Sequence, residues 1–184
     1  MDRSQRMFGV SRKMVIRTLA ALIAGATAFY IASLIWYGRG TSDVREDRSV
    51  PAFALKDYEG NEVRESDLRG KPAVIMVWAS WCPFCAEQIA HLDAVKREFG
   101  DAIMIVAINR AESLAHAMQG NALPEKAAGT IFLLDPDDAY YRAIGGFAMP
   151  EMLFIDRDGR VVLHKRSPQS REALRRRIED LLAR

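Results

Sequence analysis

The stretch Val74-Ile75-Met76-Val77-Trp78-Ala79-Ser80-Trp81-Cys82-Pro83-Phe84-Cys85 decides the fold of this 184-residue chain. A continuous apolar run, typical of a buried central strand, leads directly into two cysteines with the spacing Cys-x-x-Cys. These are the only two cysteines in the sequence. No cysteine is left for a structural disulfide elsewhere or for a four-cysteine zinc site. Any disulfide within this chain must therefore join Cys82 to Cys85.

This spacing suits redox chemistry. If a helix begins at Cys82, Cys85 lies one turn further on the same face, close enough for the two sulfurs to bond. Cys82 would then lie at the positive end of the helix dipole, which favours the thiolate, the species that attacks a disulfide. Pro83 supports this start, because proline at the first helical position loses no hydrogen bond. The alternative is that the cysteines form half of a zinc knuckle or are two inert thiols. For a zinc site, the sequence offers only three histidines as further ligands, His91, His116 and His164.

The N-terminal region predicts a membrane anchor. Residues 18–37 carry no charge, and a helix of that length spans about 30 Å, the thickness of a bilayer core. Asp2 is the only acid before it, against five basic residues, Arg3, Arg6, Arg12, Lys13 and Arg17. The positive-inside rule therefore predicts a cytoplasmic N-terminus (1–17), a single-pass inner-membrane anchor (18–37), a linker (38–49) and an exported domain (50–184). A signal peptide cleaved after Ala26-Thr27-Ala28 is the alternative, and either reading places the cysteines in an oxidising compartment.

The exported part alternates strands and helices. Its charge from residue 38 onward is 21 basic minus 23 acidic residues, or −2, which argues against a nucleic-acid partner. Strand–helix alternation with a final hairpin and helix predicts an α/β sheet covered by helices on both faces. The predicted strands are 53–55 and 62–64 as a first hairpin, 73–78, 103–108, 130–134, and 152–155 with 160–164 as a second hairpin. The predicted helices are 82–99, 111–118, 135–144 and one beginning near 167–170, while 121–129 is ambiguous.

A family resemblance follows from these motifs. The Trp81–Cys85 motif at a strand-to-helix junction, with Met149-Pro150 just before a later strand, resembles the thioredoxin fold. Pro51-Ala52-Phe53-Ala54-Leu55, Gly70-Lys71-Pro72 and Trp78–Cys82 extend the resemblance, over residues 50–184, to membrane-anchored thiol–disulfide oxidoreductases of the TlpA, ResA and CcmG type. Pro150 followed by Glu151 is most similar to the CcmG branch, which reduces apocytochrome c before haem attachment.

The resemblance implies a fold and a set of roles. The fold is a central mixed sheet with an N-terminal β-hairpin extension and helices on both faces, preceded by one transmembrane helix. Cys82 is implied as the exposed nucleophile and Cys85 as the thiol that resolves the mixed disulfide. Pro150 is implied as a cis proline facing the cysteines, which leaves the Met149 backbone free to pair with an extended substrate. Trp81 is implied to shield one side of the sulfurs.

The resemblance also implies partners. These are exported protein thiols and disulfides, apocytochrome c among them, and a membrane thiol–disulfide electron donor. No cofactor is expected besides the redox-active Cys82–Cys85 pair. Because Phe84 and Pro83 add no charge between the cysteines, we expect a reducing potential, nearer thioredoxin's value of about −270 mV than the oxidant value of about −120 mV.

Two positions depart from the family pattern. Met76 stands where thioredoxins carry a buried acid, and Gln88 stands where relatives often carry glutamate. The proton acceptor for Cys85 must then be another group. Glu151 is the first candidate to replace it, and Glu87 is a weaker one.

Two other functions remain open at this stage. A peroxiredoxin-like thiol peroxidase needs Pro-x-x-x-Thr/Ser-x-x-Cys, and this chain has Ile75 and Ala79 at those positions. A copper-binding module of the Sco type resembles this architecture but needs Cys-x-x-x-Cys and a distant histidine, so this cysteine spacing is one residue short.

Overall fold

The computed structural model describes residues 12–39, 47–119, 127 and 129–184, and the chain divides into two compact units, Met1–Ser42 and Asp43–Arg184. The first unit contains helix α1 (Arg12–Arg39). Within the described residues, its stretch Lys13–Ser33 is long and apolar enough to cross a membrane by length and composition, with a mean hydropathy of 1.7. The helix begins before the predicted anchor at 18, because the preceding arginines and lysine are good helix formers.

The second unit is built on one mixed sheet. Among the described residues its strand order is β1-β8-β7-β4-β5-β6-β2-β3. Strand β4 is parallel to β5 and β5 is parallel to β6, while all other neighbours are antiparallel. The strands are β1 (Arg48–Ser49), β2 (Ala54–Asp57), β3 (Glu62–Arg64), β4 (Ala73–Trp78), β5 (Met104–Arg110), β6 (Thr130–Asp135), β7 (Glu151–Ile155) and β8 (Arg160–Lys165).

Four α-helices accompany the sheet in the described part of this unit. They are α2 (Cys85–Phe99), α3 (Leu114–Met118), α4 (Ala139–Ala143) and α5 (Arg171–Leu182), with short 3₁₀ turns at Glu65–Leu68 and Gly100–Ala102. Helix α5 begins after Ser170, whose hydroxyl accepts a hydrogen bond from the Ala173 N–H at 3.2 Å. This is the usual N-cap arrangement, and it matches the predicted start.

The central strand β4 is buried on both sides, as its unbroken apolar run predicts. Its even-numbered residues pack with α2 and α5 on one side of the sheet, which we call the cysteine face because Cys82 and Cys85 belong to the same core. Its odd-numbered residues pack with α4 and the first 3₁₀ turn on the opposite face. The predicted α/β sheet with helices on both faces is confirmed, as is the N-terminal hairpin formed by β2 and β3.

Two predicted boundaries differ most from the structure. Arg48 and Ser49, predicted as linker, form β1, which pairs with β8. The predicted helix from 135 begins at Ala139, because residues 136–138 form a turn in which Asp138 has a left-handed φ of 58°. The Asp135 carboxylate still caps it, accepting from the N–H groups of residues 139, 140 and 141 at 2.8, 3.0 and 3.2 Å. In the ambiguous region, 120–126 and 128 lie outside the described residues.

Candidate active site

The two cysteines form a disulfide at the end of β4. The S–S distance is 2.11 Å and the Cα atoms are 5.4 Å apart. Helix α2 begins at Cys85, three residues later than predicted. Cys82 lies instead in a turn closed by a hydrogen bond from the Cys85 N–H to its carbonyl at 3.2 Å, and the following helical bond runs from Gln88 N–H to Phe84 O at 3.1 Å. Pro83 is therefore within the turn that precedes the helix.

The two cysteines differ in their exposure to solvent. Cys82 retains 6% of its surface exposed, whereas Cys85 has none and packs in the core of the cysteine face. A reactant that approaches from outside therefore reaches Cys82 first. The N-cap residue of α2, Phe84, offers no side-chain hydrogen bond to the first turn, so the partial positive charge of the helix end lies beside the cysteines without a side-chain cap.

Exposed aromatic side chains surround Cys82. Trp81, Phe84 and Phe147 are 64%, 56% and 71% exposed. They border a groove of about 300 Å³ whose lining also includes Cys82, Pro83, Arg110, Tyr141, Ala148 and Met149. The Met149–Pro150 peptide bond at the edge of this groove is cis, the conformation that the family resemblance implies. Trp78, by contrast, is a core residue.

Arg110, the basic residue that lines the groove, is paired with Asp138. Arg110 binds the Asp138 carboxylate with two hydrogen bonds of 2.7 and 2.6 Å, and its guanidinium lies 3.8 Å from the centre of the Tyr141 ring. The Asp138 hydrogen bonds raise the pKa of Arg110, although partial burial opposes them. Burial first and then the charge of Glu151 raise the pKa of Tyr141. The groove therefore presents aromatic surface with a neutralised arginine at its edge.

Glu112 holds the segment of residues 79–84, the cysteine loop. Its carboxylate accepts from the Ser80 N–H at 2.8 Å, the Ser80 hydroxyl at 2.5 Å and the Asn109 side-chain amide at 2.7 Å. Partial burial would raise the pKa of Glu112, but these hydrogen bonds outweigh it and lower the pKa. The sequence analysis missed this residue. One signal was present, since Ser80 and Glu112 follow neighbouring parallel strands whose carboxyl ends meet at one edge of the sheet.

Glu151 does not lie where the predicted role requires. It pairs with Val77 across β7 and β4, so its side chain points to the opposite face, whereas Cys85 belongs to the cysteine face. The carboxylate is fully buried, and its Oε1 atom lies 2.7 Å from Arg166 Nε and 2.9 Å from His164 Nε2. The prediction that Glu151 accepts the proton of Cys85 is corrected on this ground, since the sheet separates the two side chains.

The other candidates near Cys85 have different environments. Gln88 is buried, and its side-chain oxygen accepts a hydrogen bond from the Gln169 N–H at 2.6 Å, which ties α2 to the segment before α5. Glu87 is exposed and lies 3.9 Å from His91 Nε2. Met76 is fully buried in the cysteine-face core. The weaker candidate, Glu87, stays a prediction.

Comparisons with known proteins agree with this geometry. The Redoxin family model matches residues 45–182. The thiol:disulfide interchange protein DsbE of Allochromatium vinosum is 31% identical over 89% of this chain and 93% of its own length. The thiol-disulfide oxidoreductase ResA of Bacillus subtilis is 26% identical over 82% of this chain and 83% of its own. The solved structure of a Chlorobium tepidum protein assigned as DsbE superposes with a TM-score of 0.67 and 26% identity, covering 76% of this chain and 99% of that one.

Proposed function

This chain belongs to the Redoxin family and is a thiol–disulfide oxidoreductase, and from that premise we propose that it is a membrane-anchored reductase of disulfides in exported proteins. The observation that carries the proposal is the Cys82–Cys85 pair beside an aromatic groove, with Cys82 lining the groove at 6% exposure and Cys85 fully buried. Protein thiols and disulfides are its substrates as a class. Reduction as the direction, and apocytochrome c as a substrate, are the finer parts of the proposal.

Reduction of one substrate disulfide takes two thiol–disulfide exchange steps. In the reduced protein the Cys82 thiolate attacks a substrate disulfide, forming a mixed disulfide and releasing one substrate thiolate. The Cys85 thiolate then attacks the Cys82 sulfur, releasing the second substrate thiolate and closing the Cys82–Cys85 disulfide. The substrate gains two electrons, and the protein must regain them from an external dithiol, for which we propose a membrane thiol–disulfide electron donor.

The surroundings of Cys82 support the direction of reduction. A strong oxidant requires a reduced form that is stabilised, normally through a thiolate with a strongly depressed pKa. Beside Cys82 the groove is mainly aromatic, and Arg110 is bound to Asp138. The uncapped end of α2 still favours the Cys82 thiolate to a moderate extent. We therefore propose a reduction potential nearer about −270 mV than about −120 mV.

Substrate binding follows from the groove. We propose that an extended substrate segment lies against Trp81 and Phe147 and pairs with the Met149 backbone, so that its sulfur meets Cys82. The relatives named thiol:disulfide interchange protein DsbE, and the Pro150-Glu151 pair that resembles the CcmG branch, support an oxidised apocytochrome c as one such substrate.

The position in the cell follows from the N-terminal region. The apolar stretch Lys13–Ser33 and the basic residues before it support an inner-membrane anchor with the cysteines outside the cytoplasm. Protease digestion of intact spheroplasts tests this topology. We expect the C-terminal domain to be digested from outside, and protection of that domain would contradict the proposed orientation.

The experiment that tests the function is the reduction potential of the full chain in detergent, from equilibrium with oxidised and reduced glutathione. A potential below about −200 mV supports the reductase, and a potential near about −120 mV would make the protein an oxidant and overturn the proposed direction. A Cys85→Ser variant supplies the second arm. We expect it to accumulate a mixed disulfide with an oxidised Cys-Ala-Ala-Cys-His peptide through Cys82, whereas Cys82→Ser should form none.

A further inference from the structure

A buried charged cluster lies under the loop that carries the cis proline. We call residues 147–150 the proline loop, and Glu151, His164 and Arg166 the Glu151 cluster. Glu151 and His164 are fully buried, and the Arg166 side chain is 16% exposed. Glu151 Oε1 lies 2.7 Å from Arg166 Nε and 2.9 Å from His164 Nε2, and Arg166 Nη2 lies 3.2 Å from His164 Nδ1.

The geometry fixes how the cluster is arranged. Arginine can only donate hydrogen bonds, so Nδ1 of His164 must accept from Arg166. The other ring nitrogen of His164, Nε2, lies 2.9 Å from Glu151 Oε1. Each of the three residues therefore contacts the other two, and Arg166 is held by the carboxylate at Nε and by the imidazole at Nη2. A guanidinium held in this way has a defined plane and position.

The guanidinium lies against the ring of Phe147, a residue that lines the groove. The Arg166 guanidinium lies 4.9 Å from the centre of the Phe147 ring, and Phe147 is 71% exposed beside Cys82. A second tether holds the next residue, because the Tyr141 hydroxyl donates to the Ala148 carbonyl at 2.9 Å. The loop that faces Cys82 is thus attached to the opposite face of the sheet through side chains rather than through strand pairing.

A purely structural role does not require charges at this place. Replacing a buried ion pair by apolar residues of similar volume is often neutral or stabilising, because the charges must be removed from water. A buried cluster that presents its cation to an exposed aromatic ring has a different use: the cation attracts the ring face and limits where the ring can lie. The ring so placed is one wall of the groove.

We propose that Arg166, fixed by Glu151 and His164, is a positioning residue that places Phe147 as the specificity wall of the substrate groove. The inference rests on the proposed function. The substrate favoured by this wall is an extended segment with an aromatic or large apolar side chain next to its reactive cysteine. Phe147 contacts that side chain, and Arg166 acts only through Phe147.

The test uses the full chain in detergent, reduced beforehand, in single-turnover reactions quenched with acid. Two oxidised peptides serve as probes, Phe-Cys-Ala-Ala-Cys-His and its matched partner with alanine in place of phenylalanine. The dependence of rate on peptide concentration separates the half-saturating concentration from the limiting rate. For Arg166→Lys and Phe147→Ala we expect the half-saturating concentration of the Phe peptide to rise about five- to tenfold with little change in limiting rate, the size of a loss of about 1–1.4 kcal/mol.

Arg166→Lys is informative because lysine keeps the positive charge beside Glu151 but loses the planar group over Phe147. A residue that only supports the fold would leave this variant like the unaltered protein. The decisive measurement uses the double variant with Arg166→Lys and Phe147→Ala. Since Arg166 acts through Phe147, we expect its half-saturating concentration for the Phe peptide to be no higher than that of Phe147→Ala alone. Arg160→Gln, at the other end of β8 in an exposed pair with Asp47, is the matched control and should change neither constant.

The outcomes separate the two proposals. If the unaltered protein exchanges with neither peptide, the proposed function fails. If it exchanges with both but does not prefer the Phe peptide, or if the two single effects multiply in the double variant, the positioning role is overturned and the function stands. Phe147→Ala removes an exposed side chain, so its folding is secure, and circular dichroism spectra of the Arg166 variants verify theirs.

Discussion

Two loops face each other across the groove, and each is held by one glutamate. Glu112 holds the cysteine loop from the cysteine face, directly through the Ser80 N–H and hydroxyl. Glu151 begins β7 immediately after the proline loop and acts on it from the opposite face, through Arg166 and the Phe147 ring. The first carboxylate is partly exposed, whereas the second is fully buried.

The difference shows how one scaffold separates reactivity from recognition. The cysteine loop carries the reacting sulfur, and hydrogen bonds from the Ser80 N–H and hydroxyl to Glu112 fix its path. The proline loop carries no reacting atom but offers side-chain and backbone surface to the substrate, and side chains fix it. We therefore expect variants of the first loop to change the chemistry and variants of the second to change binding or stability.

The largest effect is expected for Cys82→Ser, which should abolish disulfide exchange. No hydroxyl can replace the thiolate as the attacking atom, and Cys85 is buried. Exchange of the oxidised Cys-Ala-Ala-Cys-His peptide, followed by chromatography, is the measurement. If Phe147→Ala, on the proline loop, removed activity as completely, the separation between reactive and recognising loops would fail.

The next effect is expected for Glu151→Ala, which should lower the free energy of unfolding by about 3–5 kcal/mol, because it leaves a largely buried arginine without its carboxylate. Glu151→Gln is the matched comparison. It keeps an oxygen for Arg166, and no donor among the described residues bonds Oε2, so we expect a smaller loss of about 1–3 kcal/mol. Urea titration of the full chain in detergent gives both values, and equal losses would mean that the charge of Glu151 carries its whole contribution and that the oxygen kept by glutamine adds nothing.

A smaller loss is expected for Glu112→Gln. Hydrogen bonds to a charged group contribute about 1.5–3 kcal/mol when buried, and the partial exposure of Glu112 reduces this to about 1–2 kcal/mol. Glutamine can keep one oxygen at the Oε2 position, where the Ser80 N–H and the Asn109 amide both donate, but its NH2 group cannot accept from the Ser80 hydroxyl as Oε1 does. The same urea titration measures the loss. A loss as large as that of Glu151→Ala would remove the distinction between the two glutamates.

The sequence predicts those features that depend on local pattern. The apolar run of β4, the two hairpins and the pairing of Cys82 with Cys85 follow from residues close together in the chain. The start of α2 does not, because the turn at Cys82–Cys85 and the first turn of a helix have nearly the same local sequence requirements. A hydrogen bond to the Cys82 carbonyl distinguishes them in the structure.

The two glutamates depend on contacts that local pattern cannot supply. Ser80 and Glu112 are separated by 32 residues, and their meeting requires that β4 and β5 be neighbours. For Glu151, the sequence does not indicate on which face of the sheet the side chain lies. Strand β7 is apolar at every position after Glu151, so no alternation in its sequence indicates which side is which. Only the register that opposes Val77 to Glu151 places the carboxylate away from Cys85.

The smallest effect is expected at acid pH, where the contribution of Glu112 should vanish. Its pKa in the folded chain is lower than the ordinary value of 4.5. The stabilisation is therefore complete above about pH 4.5, where the carboxylate is ionised in both the folded and the unfolded chain, and is lost as the pH falls through the lowered folded-state pKa. The difference in unfolding free energy between the unaltered protein and Glu112→Gln should be constant from pH 7 to 5 and should shrink towards pH 3. Other acids with lowered pKa, such as Asp57 and Glu172, are present in both proteins and cancel in the difference. A difference that stays constant down to pH 3 would mean that Glu112 holds the cysteine loop by its shape and not by its charge.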